Sequence, residues 1–146
     1  MNSGGKINID QKPIRVLLVP LDWGLGHATR CVPIVNRLNK AGVEVFVAGE
    51  GNSKEILVKL LPNAVFFPLK GYRVNYATKQ GFFIIHLLAQ FFKINAAIRH
   101  EHKWLNNLVD EYQIDAVISD NRFGLWTKKI PSIFITHQLN IQTGNK

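Results

Sequence analysis

The stretch that most constrains this chain is Pro20-Leu21-Asp22-Trp23-Gly24-Leu25-Gly26-His27-Ala28-Thr29-Arg30. It follows the apolar run Ile14-Arg15-Val16-Leu17-Leu18-Val19 and precedes helical spacing at Val32, Val35, Leu38 and Ala41. Strand, glycine-rich turn and helix, in that order, open a mononucleotide-type βα unit. Gly24 and Gly26 let the backbone bend tightly and let a ligand approach it. The helix start offers free N–H groups and the positive end of a dipole, which suits a phosphate or a developing anion. His27 falls at that same place, where a proton acceptor faces the ligand.

The rest of the chain repeats the alternation. Ile14–Val19 is nearly all apolar, as for a strand covered on both faces of a parallel sheet. A first helix is predicted from about Ala28 to Ala41, with Pro33 near its start and Gly42 as the residue that ends it. Val43–Ala48 is a second strand. Asn52 with Glu55 three residues on has the spacing of a capping box for a second helix, which Pro62 stops. Ala64–Leu69 is a third strand. Helical spacing then runs from Gln80 to about Tyr112, as two helices or one with a bend. Asp115–Ser119 and Ser132–Thr136 are a fourth and a fifth strand, Pro131 standing just before the latter. The fold class is therefore α/β: a doubly wound, mostly parallel sheet of about five or more strands.

The chain has 146 residues, 47% hydrophobic and 19% charged, which fits one globular domain. Residues 1–12 read as a flexible polar tail, without the apolar centre of a signal peptide, leaving 13–146 as the domain. A formal net charge of +8 favours an acidic partner, or no specific partner at all. The single cysteine, Cys31, excludes an internal disulfide and fits a reducing, cytoplasmic compartment. It falls in the apolar pattern of the first helix and reads as core. The apolar run Phe82–Phe92 is interrupted and falls short of the roughly 20 residues that span a bilayer. His100 and His102, two residues apart, do not share a helix face, and no cysteine pair or acidic cluster accompanies them, so no metal site is expected.

In an open α/β sheet, ligands collect beyond the carboxyl ends of the strands. That edge is predicted to gather Asp22, Trp23, His27, Glu50, Asn52, Tyr72, Arg73, Asn75, Asp120, Asn121, Arg122 and His137, although loops hold polar residues in any protein. In the strand order 3-2-1-4-5 the first and fourth strands are neighbours, so His27 and Asp120 come within reach of each other. An aspartate on one imidazole nitrogen fixes the tautomer and makes the other nitrogen a base. Alternatively, Asp120 caps a turn in Ser119-Asp120-Asn121.

Gly24-Leu25-Gly26-His27-Ala28-Thr29-Arg30 resembles the first-loop motif of GT-B glycosyltransferases, in particular the family 28 type. Gly42-Val43-Glu44-Val45, Asp115–Asp120 and Pro131–Ile135 are similar to that family's pattern as well. The resemblance implies the N-terminal, Rossmann-like, acceptor-binding half of an inverting glycosyltransferase. Such an enzyme moves a hexose or N-acetylhexosamine from a nucleotide sugar, a UDP-sugar by the resemblance, to a lipid-linked or envelope acceptor. It implies no cofactor beyond that donor. Carried over position by position, it makes His27 the general base and Asp120 its support. Gly24, Gly26, Arg30, Tyr72, Asn75, Asn121 and Arg122 become candidate substrate contacts, although Arg30 also suits a plain helix surface. The family's donor-binding, C-terminal domain has no counterpart before Lys146. The chain is then a fragment, or has its partner half on another chain, or has lost activity.

Residues 70–103 hold Lys70, Arg73, Lys79, Lys93, Arg99 and Lys103 against one acid, Glu101, with Phe82, Phe83, Phe91 and Phe92 among them. Such a patch either lies on an anionic membrane surface, peripherally at the inner face, or packs into the core. Two other readings compete. Gly24-x-Gly26 with Glu50 begins the fingerprint of an oxidoreductase's dinucleotide-binding domain, but Thr29 stands where its third glycine belongs. A non-catalytic lipid-binding module is the other; no nucleic-acid motif is present, so no nucleic-acid partner is expected.

Overall fold

A computed structural model describes residues 12–22, 25–72 and 83–136, with only the backbone described over 83–90. The elements are β1 (Arg15–Val19), α1 (Leu25–Lys40), β2 (Glu44–Gly49), α2 (Gly51–Leu60), β3 (Val65–Pro68), α3 (Phe83–Tyr112), β4 (Ala116–Asp120) and β5 (Ser132–Ile135). All pair in parallel in one sheet of order β3-β2-β1-β4-β5. The three inner strands are the near-continuous apolar ones. β3 and β5 are the edges, where Val65, Ile133 and Phe134 stay exposed.

Each face of the sheet has its own core. Val16, Leu18, Val45, Val47 and Ile118 pack under α1 and α2, against Ala28, Cys31, Val35, Leu57 and Leu61. Leu17, Val19, Phe46, Ala48 and Val117 pack under α3, against Leu105, Leu108 and Val109. The alternation along β1 sends successive residues to opposite faces. The chain first winds outward through β1, β2 and β3 with its helices on one face. It then crosses back to β4, and α3 closes the other face.

Several element boundaries depart from the sequence expectation. α1 begins at Leu25 rather than near Ala28, so Gly26 and His27 lie in its first turn and Pro33 falls well inside it. It ends as expected at Gly42, whose φ of +77° is left-handed. Val43 N donates to Leu38 O at 3.1 Å and Gly42 N to Asn39 O at 3.0 Å, the paired bonds of a glycine-terminated helix. The expected capping box fails: α2 starts at Gly51 with Glu50 as N-cap and no side-chain cap bond, so Asn52 and Glu55 are already inside the helix. The helical stretch ahead of β4 is one unbroken helix, α3, rather than two.

A buried ionic cluster anchors α3 to the loops it crosses. Glu101, 1% exposed, accepts at Oε1 from Arg122 Nε at 2.8 Å, with Arg122 Nη2 also at 2.8 Å. Its Oε2 accepts from Tyr72 Oη and from Gly124 N, both at 3.0 Å. Tyr72 Oη accepts from Phe123 N at 2.7 Å, and Arg122 Nη2 donates to Lys70 O at 2.6 Å. The segment after β3 and the segment after β4 are thus tied to one helix residue. Gly124 has to be glycine, since a Cβ there would lie 2.4 Å from Ile98 O and 2.6 Å from Glu101 Cβ. Burial pushes the Tyr72 phenol well above its usual range, and the Glu101 charge pushes it further.

Removing one charge from such a cluster leaves the other buried and unpaired. Glu101→Ala is expected to cost about 3–5 kcal/mol in urea unfolding. Glu101→Ala with Arg122→Met is expected to cost less than the two single changes added together.

Candidate functional site

β1 and β4 lie side by side at the place where the strand order reverses, and the crevice beyond their carboxyl ends is the ligand position of this architecture. The first turn of α1 sits over that crevice. Residues three and four apart share a helix face, so His27, Arg30 and Cys31 point the same way. β4 meets them with Asp120, which lies on the same sheet face as Ile118, beneath α1.

The expected pair forms. His27 Nδ1 and Asp120 Oδ2 are 2.7 Å apart. The Asp120 side chain is 1% exposed and the His27 side chain 12%. An ionised carboxylate only accepts, so Nδ1 carries the proton, and in the neutral ring Nε2 then holds the lone pair. Asp120 therefore does not cap its own turn; Asn121 makes that turn, at φ +54°, a conformation asparagine tolerates well. Asn121 N donates to Ile135 O at 3.0 Å, which aligns β4 with β5 at the rim. Asp120 Oδ1 is buried with no hydrogen-bond partner.

Arg30 Nε lies 3.6 Å from Asp120 Oδ2 and donates to Gly26 O at 3.3 Å, with about a third of the side chain exposed. Gly26 itself is helical and exposed, and a Cβ built on it meets nothing within 4 Å, so its value is open space over the helix start rather than a turn. Cys31 lies in the interior between α1 and the sheet. Its thiol is pushed up to about 12, by burial first and by the Asp120 charge second, with Arg30 opposing.

Two expected substrate contacts are corrected. Tyr72 and Arg122 do not line the crevice; they are 7% and 1% exposed and committed to Glu101, on the α3 side of the sheet. Glu101 was missed as an anchor, although it was the lone acid in a basic segment. Gly24 and Asn75, and with them Trp23, Arg73 and His137, lie outside the described residues. Glu50 and Asp22 both meet the backbone at Gly71. Glu50 Oε1 accepts from Gly71 N at 2.8 Å, and Asp22 presses against Gly71 so closely that a Cβ there would fall 1.6 Å from Oδ2. Glu50 thus has one carboxylate oxygen engaged by backbone where a dinucleotide reading wants it on a ribose. Among the described residues no group of three His, Cys, Asp or Glu side chains is placed to hold a metal ion. No described helix is long and apolar enough to cross a membrane.

No protein-family model matches this chain, and no curated protein matches it. Solved structures do share its fold. The glycotransferase of kitacinnamycin superposes with a TM-score of 0.61 at 17% identity, over 86% of this chain and 31% of that one. UGT2 of Phytolacca americana, complexed with UDP-2fluoro-glucose and pterostilbene, gives 0.56 at 17% identity, over 88% and 31%. MurG of Acinetobacter baumannii gives 0.55 at 17% identity, over 85% and 35%. The chain has the α/β, Rossmann-like fold of one half of a GT-B glycosyltransferase. It spans about a third of the length of these structures.

A thiol as buried and as weakly acidic as Cys31 is a poor nucleophile. Iodoacetamide at pH 8 is expected to modify Cys31 about a hundredfold or more slowly in the folded chain than in urea, read by mass spectrometry.

Proposed function

We propose that this chain is the acceptor-binding half of an inverting glycosyltransferase. It transfers a hexose or N-acetylhexosamine from a nucleotide sugar to a lipid-linked or envelope acceptor. The observation that carries this reading is the 2.7 Å contact of His27 Nδ1 with Asp120 Oδ2 over the crevice between β1 and β4. With Nδ1–H donated to the carboxylate, Nε2 takes the proton of an acceptor hydroxyl as that oxygen attacks the anomeric carbon. The bond from the anomeric carbon to the nucleoside diphosphate breaks, its electron pair leaves with the diphosphate, and the sugar inverts. Asp120 stabilises the imidazolium that forms.

The nucleotide sugar is held by a second, donor-binding half, on the same polypeptide or on another. A UDP-sugar is the favoured donor, since solved structures with this fold were determined with UDP or UDP-2fluoro-glucose. A lipid-linked acceptor is favoured by the outer face of α3, where Phe91 and Phe92 are 60% and 66% exposed and Lys93, Arg99 and Lys103 are exposed as well. Aromatic side chains in the headgroup region and cations on anionic lipid would hold the protein peripherally at the cytoplasmic face of a membrane.

In a complete enzyme joining this chain to its donor-binding half, His27→Ala is expected to lower kcat by about 10²–10⁴-fold. The KM for the nucleotide sugar is expected to stay nearly unchanged. An unaltered kcat would remove His27 from the reaction.

A further inference from the structure

We propose that Arg30 is a positioning residue that sets how strongly Asp120 activates His27. The inference deepens the reading of His27 as a base and rests on it. Asp120 is 1% exposed, yet Oδ1 has no hydrogen-bond partner and Oδ2 alone carries the contact to His27. A buried carboxylate so sparsely bonded needs a cation beside it. Arg30 is that cation: its Nε is 3.6 Å from the same Oδ2 and is itself steadied by Gly26 O, one residue before His27. The imidazole and the guanidinium, one helical turn apart on α1, therefore share one acceptor atom.

The Asp120 anion favours protonated His27, whereas the Arg30 cation neutralises part of that anion and disfavours a second cation nearby. The positive end of α1, where His27 sits, acts in the same direction as Arg30. The Cys31 thiol, on the same helix face, responds to the same two charges. The other charged groups on described elements packed around α1 are Lys54, Glu55 and Lys59 of α2, Arg15 and Glu44 at the starts of β1 and β2, paired with each other at 2.8 Å, and Asp22 and Glu50 beyond the ends of those strands, the last two against Gly71. β5 carries no ionisable side chain through Thr136.

The test is a pH titration of the His27 ring resonances by NMR in the full 146-residue chain. Arg30→Gln is expected to raise the His27 midpoint by about half a unit or more. Arg30→Lys, which keeps the charge, is expected to stay close to the unaltered chain. Spectral dispersion reports folding in the same experiment, and Arg30→Met serves as a second charge-removing variant if the glutamine variant does not fold. A midpoint that stays put or falls on removal of the charge overturns the proposal, as does a lysine variant that shifts as far as glutamine. Asp120→Asn separates the two layers of argument, because it is expected to lower the His27 midpoint. If it does not, the histidine–aspartate reading itself fails. If it does while Arg30→Gln moves nothing, only the role of Arg30 falls.

Discussion

A carboxylate carried out of water at the end of a central strand must find a donor, and Asp120 finds His27. That single contact joins the last residue of β4 to the first turn of α1, across the line where the strand order reverses. It exists only because β1 and β4 are neighbours, and they are neighbours only because α3 carries the chain back over the sheet. The site therefore inherits its geometry from the longest crossover in the molecule. The contact at the crevice depends on α3 even though α3 lies on the opposite face.

Two polar clusters divide the labour between the two faces. Beneath α1, Asp120 meets one imidazole and one partly exposed guanidinium, and one of its oxygens has no hydrogen-bond partner. Beneath α3, Glu101 is saturated: a guanidinium, a phenol and a backbone N–H converge on its two oxygens. That cluster fixes the segments after β3 and β4 to one helix, with Arg122 Nη1 alone left without a hydrogen-bond partner among its buried side-chain atoms. Arg122 and Asp120, two residues apart, fall into different clusters because the chain turns through Asn121 between them.

Much of this was legible in the residues. The near-continuous apolar runs at Val16–Val19 and Val45–Ala48 marked buried parallel strands, and the strand order is the one common to doubly wound sheets. His27 and Asp120 were legible as a pair because a strand order converts two distant sequence positions into neighbours. What the sequence did not yield has physical causes. The start of α1 was set too late because glycine at 26 weakens helix propensity, yet the turn formed with Gly26 O accepting from Thr29 Oγ1 and Arg30 Nε. The capping box at Asn52 and Glu55 does not form because α2 begins at Gly51 with Glu50 as its N-cap, which puts both residues inside the helix. Tyr72 and Arg122 looked like ligand contacts because polar residues after strands usually face the crevice. Nothing local showed that an acid on α3, remote in sequence, would draw both into the interior.

The central claim is that Asp120 holds the Nδ1 proton of His27 and leaves Nε2 as the base. Long-range ¹H–¹⁵N correlation spectra of the His27 imidazole, recorded at a pH where the ring is neutral, read the tautomer directly. A protonated Nδ1 and an unprotonated Nε2 are expected. A ring protonated on Nε2, with Nδ1 bare toward Asp120, would contradict that claim.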